Sequence, residues 1–353
     1  MYLLVGTAKG LFRYRTDDRT EWTALPPVLL GDEIYTTAYD TETQTLYAGA
    51  NSVFHGANVR RSHDWGENWD TGGSGLEYTA DDPERVTRVW SLRPAGGGRV
   101  YAGVEASGLF RSDDGGDTWS EVRGLREHPT HETWEPGFGG KCLHTIAVDP
   151  FFANRLYIAC SAGGIYRSND GGDSWQPINR GIRAEFMPDD MQYPESGQCV
   201  HKFWLSPTTA GRLWLQNHGG VYRSDNGGDG WEYVGESLPS DFGFPVVGHP
   251  ANPDCAYVLP VQRWPRWAPD NVLAVYRTRD AGQSWEALHN GLPQPSFSGV
   301  LRDAFTGDTQ TPFGLYFGTT SGALYHSADE GATWHLIAED LPRIYSVVVA
   351  AEA

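Results

Sequence analysis

Two alignments within the chain bring together side chains able to do chemistry. Four segments end in Pro94, Pro150, Pro207 and Pro250, and six residues before each stands Arg88, His144, His201 or Phe244. The segments that follow place Glu105, Ser161, His218 and Thr320 at matching positions. In a repeating architecture such residues face one space. Arg88, Glu105, His144 and His201, with Asn217 and His218 close by, are therefore expected around one concave site. Longer intervening segments supply His128, His131, Glu132, Trp134, Arg183, Glu185, Asp189 and Asp190, and Asp241, Arg302 and Asp303 complete the rim.

Three chemistries could use this set. Glycoside hydrolysis needs two carboxylates about 5–5.5 or about 6.5–9.5 Å apart, and Glu105, Glu185, Asp241 and Asp303 are the candidates. Arg88, Trp134, Arg183, Glu185, Asn217, His218 and Arg302 would then bind substrate. General acid–base chemistry would pair Glu105 with His144 or His201, because imidazole titrates near neutrality. Metal chemistry is the third: Cys142-Leu-His144 and Cys199-Val-His201 share a C-x-H pattern, and His144, His201 and His218 could hold Zn or Cu. Against it, residues two apart on a strand share a face by pleating alone, and the spacing matches no established ligand motif. A lone histidine is more often a satisfied structural residue than a ligand. The sequence assigns no cofactor, and neither a G-x-S-x-G elbow nor a phosphate loop identifies a nucleophile.

The elements that position these residues are legible as an internal repeat. Ser112-Asp-Asp-Gly-Gly-Asp-Thr-Trp119 recurs as Ser168–Trp175, Ser224–Trp231, Thr278–Trp285 and Ser327–Trp334, with an earlier copy at Ser62–Trp69 and a worn one at Arg15–Trp22. The terminal tryptophans stand 47, 50, 56, 56, 54 and 49 residues apart, the length of a four-stranded propeller blade with its connections. Asp64, Asp114, Asp170, Asp280 and Asp329, at the third position, are read as clamps on the turn between the third and fourth strands, and Gly at the fifth supplies positive φ. Trp at the eighth buries a ring between layers.

The chain begins on a second strand, Tyr2 to Gly6, and its first strand comes at the end, Ile344 to Ala350. The expected fold is thus all-β: a single seven-bladed β-propeller over residues 1–353, its first blade built from 1–25 and 343–350 and its ring closed by the C-terminal strand. Loops 70–86, 122–141, 177–198 and 261–272 then lie on the face opposite the Asp turns, and the site is expected there.

The repeat resembles the Asp-box, or BNR, repeat of sialidases, sortilin-type receptors, xyloglucanases and photosystem II assembly-factor propellers, over nearly the whole chain. It also looks like bacterial cytoplasmic proteins labelled BNR-repeat glycosyl hydrolases. The resemblance implies a glycosidase-like hydrolase acting on or binding a small molecule or carbohydrate. A typical sialidase is not expected, because Leu3-Leu-Val-Gly-Thr7 stands where sialidases carry Arg-Ile-Pro. The alternatives are a non-catalytic scaffold holding a protein partner and a histidine-centred metal enzyme.

A net charge of −18 with only three lysines argues against nucleic acid, which requires concentrated basic residues. No stretch approaches the ~20 apolar residues of a membrane span. Four cysteines in 353 residues are not a disulfide scaffold, and the opening residues read as a strand rather than a leader, so a cytoplasmic location is expected.

Overall fold

The computed structural model describes residues 1–70, 72–137, 140–161 and 163–351. Thr71, Phe138 and Gly139, within two of the long loops, lie outside the described residues. Among the described residues the fold is all-β, with four 3-10 turns of three residues each and no helix long and apolar enough to cross a membrane.

The strands form antiparallel sheets in chain order, the architecture of a β-propeller. Four sheets have four strands and begin with Val89–Gly96, Leu143–Val148, Val200–Leu205 and Gly243–His249. An eight-stranded sheet joins two more such sets through one parallel bridge, Asp303 to Ser346. In it Ile344–Ala350 pairs antiparallel with Tyr2–Thr7, six residues on each side. Every first strand packs beside the first strand of the next set, and Ile344–Ala350 packs against both Val300–Gly307 and Glu33–Asp40.

Burial follows from strand position. Second strands such as Leu156–Cys160 and Leu315–Thr319 are buried at every residue, since both faces of the sheet are covered. Fourth strands such as Gln176–Pro177 and Glu232–Tyr233 shrink to two residues, and a short edge carrying proline or charge resists pairing with another chain.

One sheet departs from expectation: Glu33–Asp40, Thr45–Ser52 and Gly56–Ser62 form three strands, not four. A single backbone bond, Asp70 N–H to Arg61 O, marks where the fourth would run. Beyond it Ser74 exchanges backbone bonds with Asp117 and Trp119 of the next sheet, which draws the segment away.

The Asp turns act as local clamps. Asp114 accepts from Ser112 Oγ, Thr118 N–H and Thr118 Oγ1, and Asp64, Asp170, Asp280 and Asp329 repeat the pattern. Asn226 takes the same role. In the worn copy Asp18 does this work, through Thr20 and Glu21 N–H, so its turn is a residue shorter than the alignment implies. Positive φ is needed at the fourth position as well as the fifth, and Trp65, Ala281 and Glu330 adopt it without being glycine.

Candidate functional site

Two cavities meet along the line of first strands. The larger, about 550 Å³, opens toward Pro94, Pro150, Pro207 and Pro250, where first strands turn into second ones. The smaller, about 260 Å³, lies at the other ends of those strands and is lined by Tyr35, Trp90, Phe244, Arg266, Leu301, Arg302, Asp303, Arg343 and Tyr345. Asp303 borders both, and its ion pair with Lys202 stands where they meet.

The smaller cavity has an aromatic wall. Tyr35 stacks on Tyr345 with centroids 4.1 Å apart and leans on Trp90 at 4.5 Å. Burial and the neighbouring Tyr345 push the Tyr35 phenol well above its ordinary pKa, so it is neutral at physiological pH. Behind this wall Glu105 accepts from Arg88 at 3.0 Å and from Trp90 Nε1 at 3.2 Å, and Arg88 also reaches Glu33 at 3.7 Å. Three arginines, Arg266, Arg302 and Arg343, also line this cavity. Arg302 sits 5.8 Å from the rings of Trp90 and Phe244 and donates only a long bond, 3.5 Å, to Ser161 Oγ; its Nε is buried without a partner. Among the described residues no carboxylate lies within ion-pair distance of Arg302 or Arg343. Arg343 is exposed, whereas Arg302 is half-buried, and most of the chain's other arginines that are largely withdrawn from solvent are paired.

The expected site residues separate into three groups. Arg302 and Asp303 line the smaller cavity, and Arg88 and Glu105 back it. Glu185 and Asp241 lie together elsewhere, bridged by Arg263, with His218 close enough to feel both carboxylates. Arg183 is exposed and donates to Gln192, and Asn217 is fully buried, with its amide N–H bonded to Arg183 O and Gln198.

Two expectations are corrected. Trp134 is not a rim residue: it is 1% exposed, packs on His131 and Tyr166, and gives its Nε1–H to the Tyr166 hydroxyl. A ring that large gains more from the core than from solvent contact. His144 does not join His201 and His218 as a metal ligand. It is fully buried, with Nδ1 bonded to Thr145 Oγ1 at 3.0 Å and Nε2 to Val200 O at 3.0 Å, so neither nitrogen is available. Burial also pushes its pKa far below the usual histidine range, which removes it as a proton carrier. His201 is likewise buried, with Nδ1 held by Gly243 O, but its Nε2 faces Cys199 Sγ at 3.7 Å.

Sequence reasoning missed Tyr35, Trp90, Arg266, Arg343 and Tyr345. A signal for two of the cavity's residues was present. Tyr35 stands five residues before Asp40, as His144 stands five before Asp149 and Asp303 five before Asp308. Each of those aspartates is buried and caps its turn by accepting the N–H two residues on. Aligning on this carboxylate, rather than on the following proline, places Tyr35 and Asp303 beside His144 in one series.

No protein-family model matches the chain. It is 26% identical over 249 residues to an oligoxyloglucan-reducing end-specific xyloglucanase of Emericella nidulans, covering 61% of this chain and 29% of that one. A xyloglucanase of Paenibacillus sp. is 24% identical over 287 residues, 74% of this chain and 26% of its own. The chain thus spans less than a third of the length of these relatives. Among solved structures it resembles the GH74 enzyme of Niastella koreensis, with TM-score 0.64, 17% identity and coverage of 94% and 51% of the two chains. An ancestral GH74 enzyme gives 0.61, 19%, 88% and 39%, and YCF48 bound to D1 peptide gives 0.58, 15%, 92% and 86%. At these identities the structural likeness shows the fold alone. The chain is a β-propeller whose sequence relatives are glycoside hydrolases.

Proposed function

We propose that the chain is a glycosidase-like hydrolase that binds a saccharide in the smaller cavity, at the face carrying the long loops. In this reading residues 1–353 form one seven-bladed ring. Seven tryptophan-ended repeats and the order in which first strands pack support that count, and the pairing of Ile344–Ala350 with Tyr2–Thr7 supports closure of the ring by the C-terminal strand.

The observation that carries the functional reading is that stacked Tyr35, Tyr345 and Trp90 line one cavity together with Arg302 and Asp303. Aromatic faces take the apolar face of a pyranose, while charged groups bond its hydroxyls, a combination typical of built ligand pockets. Asp303, held by Lys202, is the carboxylate that lines the cavity and is placed to accept a proton or to stabilise oxocarbenium charge, and Glu105, held by Arg88, fixes Trp90 from behind the wall. The similarity to xyloglucanases supports a glycan as the substrate class.

The test is release of reducing ends from a panel of β-glucan and xyloglucan oligosaccharides. Asp303→Asn should lower kcat by about 10²–10⁴-fold, while Trp90→Ala, and Glu105→Gln acting through Trp90, should change mainly KM. Saccharide binding that survives in all three variants would place the site elsewhere. Binding without turnover in the wild type would leave a lectin-like propeller.

A further inference from the structure

Cys199, His201 and His218 bring three ligand atoms within 4.8 Å of one another, outside the cavity described above. Their convergence has a simple origin. A β-bulge falls at His201, where Val200 pairs with Asn217 and Lys202 with Gln216, and it turns the His201 ring so that Nε2 lies 3.7 Å from Cys199 Sγ. His218 lies across from Cys199, joined to it by a backbone bond, His218 N–H to Cys199 O at 2.9 Å. The paired residues Val200 and Asn217 continue that register.

The same arrangement occurs one sheet earlier with one residue changed, which makes it an internal control. There Cys142 and His144 occupy the places of Cys199 and His201, and Ser161 N–H bonds Cys142 O at 3.0 Å, as His218 bonds Cys199. Ser161 thus stands where His218 stands, and Cys142 spends its thiol on the Ser161 hydroxyl at 3.1 Å. Both histidines bond a carbonyl of the next sheet, but through different nitrogens. His144 uses Nε2 on Val200 and closes its Nδ1 on Thr145. His201 uses Nδ1 on Gly243, which leaves Nε2 directed at Cys199.

We propose that Cys199, His201 and His218 form a mononuclear zinc site with an open fourth position. Two observations beyond proximity support it. Zinc–sulfur and zinc–nitrogen bonds of about 2.3 and 2.0–2.1 Å at a tetrahedral angle put S and N about 3.6 Å apart, against 3.7 Å for Cys199 Sγ and His201 Nε2. A ligating imidazole usually gives its other N–H to a carbonyl or carboxylate, and His201 Nδ1 does so to Gly243 O. Phe242 and Phe244 pack against the His201 ring, and Phe186 and Phe242 against His218, forming an apolar shell on one side. Cys199 and His218 are only half-buried, so an ion and a water can enter from the other side. Binding converts the Cys199 thiol to thiolate, its proton passing to solvent.

The test uses the full chain, stripped with chelator and titrated with Zn²⁺ against a chromogenic competitor. Wild type should take up one equivalent. His218→Ser, which installs the residue of the neighbouring sheet, and Cys199→Ala should each weaken binding by more than the roughly 10–100-fold that loss of an outer-shell partner costs. Cys142→Ser should bind as wild type does. Co²⁺ should add a thiolate charge-transfer band in the near ultraviolet that His218→Ser weakens and Cys199→Ala abolishes. Thermal melts of the metal-free variants separate lost binding from lost folding, and His218→Ser serves if Cys199→Ala does not fold. Failure of wild type to bind one equivalent, or unchanged affinity in folded His218→Ser, overturns the site.

Discussion

The third-position aspartates spend their side chains on their own turns. Asp170, for example, accepts from Ser168 Oγ, Ser174 N–H and Ser174 Oγ, and this hydrogen bonding pulls its pKa down to about 2. Asp64, Asp114 and Asp280 are held at about 2 for the same reason. A depressed carboxylate contributes stability that is present above its unfolded pKa near 4 and is lost as pH falls toward 2. Asp170→Ala should therefore cost about 1–2 kcal/mol at pH 7, below the upper range for charge-assisted bonds because the turn is solvated. The loss should shrink below pH 3, where the wild-type carboxyl is increasingly protonated. Denaturant titration at both pH values checks this, and an equal loss at each would mean the carboxylate is not what the turn uses.

Between blades, an arginine of the third strand does the joining, at the residue just before the Asp turn in four blades and at Arg13, further back, in the first. Arg13, Arg61, Arg167, Arg223 and Arg277 each donate through Nη1 to the carbonyl at the fourth turn position of the next blade: Trp65, Gly115, Gly227, Ala281 and Glu330. These arginines are largely buried, so truncation leaves a desolvated carbonyl without its donor. Arg111 occupies the same sequence position but pairs with Asp113 on its own turn and is more exposed. Arg167→Met should lower stability by about 1.5–3 kcal/mol, and Arg111→Met by no more than about 0.5 kcal/mol. Calorimetry on the two variants decides it, and equal effects would remove the case for inter-blade joining.

For the whole molecule, buried neutral histidines set a second pH limit. Burial depresses the pKa of His131 and His326 from 6.5 to about 4, and holds that of His144 well below its ordinary value too. The folded state resists protonation, so this stability is fully present above the unfolded pKa near 6.5 and is lost as pH falls from 6.5 toward 4. Tm should decline through that window, before the Asp turns begin to titrate; a flat Tm from pH 7 to 4.5 would contradict it. Removing residues 344–353 should be more damaging than its length suggests. It exposes the edge of Tyr2–Thr7 and takes away the strand lying between Val300–Gly307 and Glu33–Asp40. The truncated chain is expected to aggregate or to lose cooperative unfolding, as followed by light scattering and calorimetry.

Much of the fold was legible because its determinants are local and repeated. A turn that requires Asp, positive φ and a buried Trp writes the same residues at a near-constant interval, and alternating apolar residues mark the strands between. The missing fourth strand after Gly56–Ser62 was not legible, since the backbone bonds that draw that segment away come from the next sheet. The site was legible in part. Repeat equivalence set Arg88, His144 and His201 at matching positions of successive first strands, with Glu105 at the end of a second strand, yet it could not tell which nitrogen of each histidine was already committed. His144 and His201 are equivalent in sequence, and only Thr145 and the carbonyls of Val200 and Gly243 make one ring closed and the other open toward Cys199. Trp134 read as a rim residue because it sits in a long loop, whereas packing against Tyr166 takes it into the core. Sequence alone thus determined the repeat, the strand order and the turn chemistry, all set by residues close along the chain. Tertiary structure alone decided which side chains face the cavity and which polar atoms are left with work to do, because those partners lie on other blades.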